Sequence, residues 1–346
     1  MKGWNVMGDW TSIFELDPVQ SLLNSKQDAI TYFAKRDLIE ASEVPLQKIW
    51  ELIEPRKILN RQKPDGTWRY PKKITDKSCG VNYTLIETWK QLRVLIQQYE
   101  FSKEHDSIKA AADYIFSCQT LDGDIRGMLA NQHAPYYTGA IMYLLIKAGY
   151  VHDERIHKCF NWLLKMRQDD GGWVIGSPGI VTREDLSNNE VNELTYDIQR
   201  KTLKCFDASK PFSAAGTGMV LRAFAEHPTY QHSTESLQAG KLLKSKLLEK
   251  DNWSSYQHPD NWLRFQYPFW WTNLVSAMDT LSLLGFGKDD PDINRAIQWF
   301  ITHQEDDGLW NVSYSRIHKN RKNRKTELLR EWVSLSICRF FKRLYK

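Results

Sequence analysis

Two carboxylates, Glu87 and Asp279, are the residues of this 346-residue sequence best suited by type and setting to move a proton. Each interrupts a stretch built mostly of apolar and small residues, YTLIETWKQLRVLIQQY around Glu87 and TNLVSAMDTLSLLGF around Asp279. A carboxylate in such surroundings either takes a partner or shifts its pKa upward, and the second outcome makes a general acid or base. Asp279 has a second reading, as an anion held by the dipole at a helix N-terminus.

Rings are concentrated nearby in sequence. Between Trp253 and Trp271, eight of nineteen residues are aromatic, among them Tyr267, Trp270 and Trp271. Such a cluster can line an apolar pocket or stabilise a cation over π faces, or it can pack a rim. Arg264 sits among these rings, where it could hold an anionic head group. His133, Tyr136 and Tyr137 at the head of one apolar stretch, with Glu331 and Trp332 on the last one, complete the residues expected to face a substrate.

Metal chemistry is not indicated. Cys79, Cys118, Cys159, Cys205 and Cys338 are scattered, with no CxxC and no tight Cys/His cluster. Reduced structural thiols in a cytoplasmic protein fit this usage, and no metal or other cofactor is expected.

The elements that would position these groups are repeats. RQKPDGTW (61–68), QTLDGDIRG (119–127), RQDDGGW (167–173) and HQEDDGLW (303–310) place Asp65, Asp122, Asp170 and Asp307 at intervals of 57, 48 and 137, and a degenerate copy, EKDNW, divides the last interval into 81 and 56. A period near 50 means an array of one supersecondary unit. Each unit reads as a small-residue-rich helix apolar nearly all round, a short turn, a second helix with one apolar stripe, and then the DG turn. In that turn Gly takes positive φ, the acidic or amide side chain caps free amides, and Trp buries its ring, so the motif is a staple between repeats.

The predicted fold is all-α: a single α/α toroid of about five or six helix pairs over residues 61–346, with an N-terminal helical segment (1–60) packed on it. Ring closure would create a central cavity. An insertion at about 174–212 lengthens one interval and is expected either to cover one mouth of the ring or to complete it.

Hydrophobic residues make up 42% of the chain and the mean hydropathy is −0.54. No apolar run approaches a membrane span and acidic residues interrupt the N-terminus, so a soluble, cytoplasmic protein without a signal peptide is expected. Residues 316–346 carry eleven Lys/Arg against two Glu, a local charge of +9 in a chain of net +5, which leaves the rest at −4. The run RIHKNRKNRK could meet an anionic membrane surface. No aromatic residues interleave it as stacking platforms for bases, and no nucleic acid is expected.

QDDGGW (168–173) and QEDDGLW (304–310) resemble the QW motifs of the superfamily of squalene-hopene cyclases and protein prenyltransferase β-subunits. A closer resemblance, covering almost the whole chain, is to prokaryotic squalene-cyclase-like single toroids, carried in order by PVQSLLNSKQDAITYFAKRDLI, GTGMVLRAFAEHP, NWLRFQYPFWWTNLVSAMDTLSLLGFGKDDPDI and REWVSLSICRF. The resemblance implies the α/α toroid, and it points to an isoprenoid or other lipid-like substrate in the central cavity and to terpenoid-cyclase-like lyase or isomerase chemistry. Against the cyclase motif DxDDTA, SAMDTL matches at Asp279 and Thr280, but Met278 stands at the proton donor and Ser276 at the first Asp. The prenyltransferase zinc pattern needs a Cys two residues after an Asp, and no cysteine here has one. Two other classes stay open: a carbohydrate-active (α/α) barrel enzyme with paired carboxylates, and a non-catalytic toroid that binds a ligand or peptide.

Overall fold

Asp, Ser and Asn caps start most of the described helices. Asp17, Asp153, Ser213, Ser233, Asn273, Asp290 and Asn323 each accept an amide hydrogen of the first turn through the side chain, which satisfies donors that a helix start leaves open. The computed structural model describes residues 9–41, 44–73, 81–130, 132–175, 207–253, 258–316 and 323–346. Its thirteen described α-helices are α1 (Pro18–Leu23), α2 (Asp28–Phe33), α3 (Gln47–Trp50), α4 (Ile53–Leu59), α5 (Tyr83–Tyr99), α6 (Asp106–Ser117), α7 (Pro135–Leu145), α8 (Glu154–Lys165), α9 (Ala214–Glu226), α10 (Thr234–Ser245), α11 (Leu274–Leu283), α12 (Pro291–Thr302) and α13 (Arg324–Leu344). Two 3-10 segments (Asp9–Ile13 and Pro259–Leu263), two π segments (Ala34–Leu38 and Ile146–Tyr150) and isolated β-bridges accompany them among the described residues.

The fold is all-α, and two kinds of helix alternate along it as in an α/α toroid. α7 buries all eleven of its residues and α9 twelve of thirteen, whereas α8 buries one stripe, Ile156, Cys159, Phe160, Trp162 and Leu163. The first kind is inner and the second outer, as the composition predicts. No described helix is long and apolar enough to cross a membrane. The expected insertion lies mostly outside the described residues, as do Cys79, Cys205, Tyr256 and most of the basic run RIHKNRKNRK.

Contacts divide the chain into two units, Ile53–Tyr230 and a unit joining Met1–Leu52 to Gln231–Lys346. In the first, the inner helices are α5, α7 and α9. α7 and α9 approach closely because Gly139 has no side chain: a Cβ there would lie 2.6 Å from Val220 Cα. In the second, α11 and α13 are inner helices, and α1 packs on α13. Phe14, just ahead of α1, meets Phe341 of α13 at 4.8 Å and Trp310 at 5.3 Å between ring centroids.

The DG turns repeat one hydrogen-bond pattern. Gln62 donates through Nε2 to the Gly66 carbonyl of its own turn (2.9 Å) and to the Ser107 carbonyl in the first turn of α6 (2.8 Å). Gln119 does the same with Gly123 (3.0 Å) and Arg155 of α8 (2.8 Å), and Gln304 with Gly308 (2.9 Å) and Leu16 ahead of α1 (2.8 Å). Gly66 has φ +79, and a Cβ on it would fall 2.4 Å from the Ala110 backbone, so only Gly fits. The indoles of Trp68, Trp173 and Trp310 each donate at 2.8 Å to the carbonyl ten residues earlier, on the preceding outer helix.

Candidate functional site on the inner helices

The inner helices share a register that hydrophobic periodicity does not reveal, because they lack an apolar stripe. The residue closing each turn donates its backbone N–H to a hydroxyl on the next inner helix: Trp68 to Thr88 (3.3 Å), Ile125 to Thr138 (3.2 Å), Trp173 to Thr217 (2.9 Å) and Trp310 to Ser334 (3.0 Å). This hydroxyl column answers a buried donor that would otherwise cost about 1–3 kcal/mol. In α11 the Thr280 hydroxyl donates instead to the Ser276 carbonyl of its own helix at 2.8 Å. Every inner helix carries a Thr or Ser, but α5, α11 and α13 carry two or three, so composition alone does not single out the column.

Glu87 and Asp279 are the residues immediately before Thr88 and Thr280. Glu87 is 4% exposed and accepts hydrogen bonds from Gln91 and, at 3.4 Å, from Lys90 one turn on. Asp279 accepts from Arg343 of α13, whose Nε also donates to Ser282 at 3.0 Å. Both carboxylates have therefore taken partners. Met278, where the resemblance puts the proton donor, is fully buried.

The ring-bearing residues fall into separate groups. In the Ile53–Tyr230 unit, Trp89 stands edge-on to Tyr137 (5.9 Å, 89°), and Tyr137 pairs with Tyr136 at 4.7 Å at the head of α7. In the other unit, Tyr267 stacks on Trp332 (5.7 Å, 14°) and Trp270 on Trp271 (5.8 Å, 11°). Trp262 and Phe265 are used in packing, the first through an indole hydrogen bond to the Glu249 carbonyl (2.8 Å) and the second against Phe300. Arg264 is exposed, and its backbone bridges to Ser313.

His133 belongs to a polar cluster fixed by Asp124. That buried carboxylate accepts from the Thr120 hydroxyl and from Arg126 Nε at 2.8 Å, and Arg126 also lies 3.2 Å from His133 Nδ1. Arg126 can only donate, so Nδ1 is the acceptor and the imidazole proton sits on Nε2. Burial, then the Arg126 charge, lowers the His133 pKa. Glu331 is half-buried beside Ser25, and burial raises its pKa.

Among the described residues, no group of three or more His, Cys, Asp or Glu could hold a metal ion. Cys159 is buried and pushed up to about 12 by desolvation, which makes it inert as a nucleophile.

No protein-family model and no curated protein matches the sequence. Among solved structures, the chain is similar to a protein from Actinoplanes at 12% identity and a TM-score of 0.42, covering 98% of this chain and 90% of that one. It is also similar to the type II terpene cyclase MstE from Scytonema without ligand (13% identity, TM-score 0.32, covering 86% and 98%) and to a variant of it in complex with geranylgeranyl dihydroxybenzoate (14%, 0.33, covering 86% and 99%).

Proposed function

We propose that this chain binds an isoprenoid or other lipid-like small molecule against the ring-bearing faces of its inner helices and acts on it as a cyclase-like lyase or isomerase. The observation that carries the reading is α7. A helix with all eleven residues buried is covered on the sides turned away from its outer partner as well, and on α7 Tyr136, Tyr137 and Tyr143 contribute to that burial. Rings of this kind contact an apolar chain and stabilise positive charge developing along it. The sequence resemblance to squalene-cyclase-like toroids supports the same class.

In this reading Glu87 is the first acid/base candidate, two residues from Trp89 on α5, and its partners Gln91 and Lys90 orient it. Asp279, held by Arg343, supplies a fixed negative charge. Met278 has no proton to give, so an alkene would be protonated from a position other than that of the cyclase motif. In the other unit, Tyr267, Trp270, Trp271 and Trp332 form a separate ring-bearing group with Glu331 as its polar contact, and His133 contributes a polar contact in the first unit. An anionic membrane surface, the source of such a substrate, would be met by the basic C-terminal segment, where Arg316, Arg324 and Lys325 are exposed.

The test is incubation of the purified chain with squalene and a panel of prenyl alcohols and diphosphates, followed by gas chromatography and mass spectrometry, with Glu87→Gln and Asp279→Asn in parallel. A cyclised or rearranged product that disappears in Glu87→Gln is expected. Absence of both turnover and retained lipid across the panel would overturn the reading.

A further inference from the structure

The second DG turn carries a carboxylate where the other copies have none. Asp124 stands at the place of Thr67, Gly172 and Leu309, and it is 1% exposed. It accepts from the Thr120 hydroxyl of its own turn and twice from Arg126, Nε on Oδ2 at 2.8 Å and Nη2 on Oδ1 at 3.0 Å. A planar guanidinium held at two points has one orientation. Its Nη2 also donates to His133 Nδ1 at 3.2 Å, and the imidazole stacks on Trp162 of α8 with 6.1 Å between centroids and 25° between planes.

These contacts fix a donor. With Nδ1 occupied, the neutral ring carries its one proton on Nε2. A cation on Nδ1 draws electron density from the ring, and hydrogen bonds in such a chain strengthen one another, so Nε2–H becomes a better donor. The His133 side chain is 32% exposed, which leaves it within reach of a ligand, and among the described residues no acceptor meets Nε2. An imidazole that only faced water would gain nothing from an ion pair behind it, and burying the Asp124 carboxylate of that pair is costly. The charges acting on the ring are one cation, Arg126, and two anions, Asp124 and Asp122. That balance suits a neutral acceptor better than an anion.

We propose that His133 donates from Nε2 to a neutral oxygen of the small-molecule ligand, a hydroxyl, ether or carbonyl, with Arg126 and Asp124 as positioning residues. The inference rests on the lipid-like reading and deepens it. The ligand becomes an oxygenated isoprenoid or related lipid, in place of a bare hydrocarbon or a diphosphate.

The test joins nitrogen NMR of the histidine-labelled full chain to calorimetric titration with geranylgeraniol, its methyl ether, the hydrocarbon of the same chain, geranylgeranyl diphosphate and the short prenyl alcohol. The proteins are the wild type, His133→Phe, His133→Gln and Arg126→Met, each checked for helix content by circular dichroism. At neutral pH the wild-type His133 signal, assigned by its loss in His133→Phe, is expected to show the Nε2–H tautomer alone, and Arg126→Met to show both tautomers. Geranylgeraniol and its ether are expected to bind the wild type about tenfold more tightly than the hydrocarbon and to lose about tenfold in His133→Phe, with part recovered in His133→Gln, whose amide still donates. The hydrocarbon should bind wild type and His133→Phe alike. A charged or mixed-tautomer His133 in the wild type, equal binding of hydrocarbon and oxygenated probes, a preference for the diphosphate over the alcohol, or oxygenated-probe affinity that survives His133→Phe overturns the inference and leaves the lipid reading standing. If His133→Phe fails to fold, the wild-type signals decide: an Nε2 shift moved by the ether and not by the hydrocarbon supports the inference, and one that neither moves overturns it. Binding of the short alcohol that depends on His133 and gains nothing from the longer chain supports the inference and overturns the lipid reading. No binding of any probe overturns both.

Discussion

The Thr217 hydroxyl accepts the backbone N–H of Trp173 at 2.9 Å and donates to the carbonyl of the same residue at 3.1 Å, so one side chain of α9 satisfies both polar groups of a residue 44 positions earlier. Trp173 is fully buried, and water has no access to those groups. Thr217→Val keeps the shape and removes both hydrogen bonds. It is expected to cost about 2–4 kcal/mol, with Thr217→Ser within about 1 kcal/mol of wild type. Urea unfolding checks the pair, and equal stability of Val and wild type would remove the column from the account of the fold.

The second copy of the turn carries Ile125 where the others have Trp, so no indole there reaches back to the preceding outer helix. Trp310→Phe deletes the hydrogen bond to the Phe300 carbonyl and part of a buried ring, and about 1–3 kcal/mol of destabilisation is expected. Trp310→Ala is expected to cost about 3–5 kcal/mol, because the void opens among Phe14, Phe300 and the rest of a dense ring cluster. Thermal unfolding of both variants tests the order.

Stability should fall as the pH drops below about 6.5. The pKa values of His227, His133 and His105 are lowered, in each case first by burial. His227 is the most enclosed: its Nε2 lies 3.0 Å from the Val151 carbonyl, and the Thr229 amide donates to its Nδ1. The folded chain binds these protons less readily than the unfolded chain, so stability present above the ordinary histidine pKa is lost as pH falls through and below it, by at most about 1.4 kcal/mol per pH unit for each group. A second loss belongs to lower pH, where Asp307 and Asp37, whose pKa values are lowered beside Arg330 and Arg339, must protonate. His227→Gln is expected to flatten the first limb and leave the second. Melting temperatures from pH 7.5 to 3 separate them, and an unchanged first limb would show that another group carries it.

Much of this was legible in the sequence, for identifiable reasons. The alternation of helix kinds follows from composition, since α7 is apolar all round and α8 is striped, and the DG turns are announced by a glycine that positive φ requires. The partners of Glu87 and Asp279 were less accessible. Lys90 and Gln91 lie one turn away and could be counted, but Arg343 reaches Asp279 from 64 positions on, which only packing decides. The third turn hides a shift: Arg167 donates to the Gly171 carbonyl in the place that Gln takes elsewhere, while Gln168 reaches the Asp207 and Lys210 carbonyls. Aligning that copy on its Gln puts the frame off by one. The hydroxyl column becomes visible only when the turns and the inner helices are seen together.

The last relationship ties the start of the chain to its end. Gln304 donates to the Leu16 carbonyl at 2.8 Å, the Leu16 amide donates back to Gln304 Oε1 at 3.3 Å, and the Ser21 hydroxyl donates to the Asp307 carbonyl. In the first two copies, the same Gln reaches the first turn of the next outer helix. The segment leading into α1 thus takes the outer-helix place for α13, and the final repeat is completed by residues from the beginning of the chain. Phe14 supplies its buried ring. Phe14→Ala is expected to cost about 3–5 kcal/mol, the range of a core aromatic truncation, although its position near a terminus would ordinarily suggest tolerance. Removing residues 1–24 should cost more, because it also exposes Trp310 and Phe341. Hydrogen exchange of α13 gives the reading: protection lost along α13 in the truncated chain is the expected result, and retained protection would mean that α13 is stabilised without the N-terminal segment.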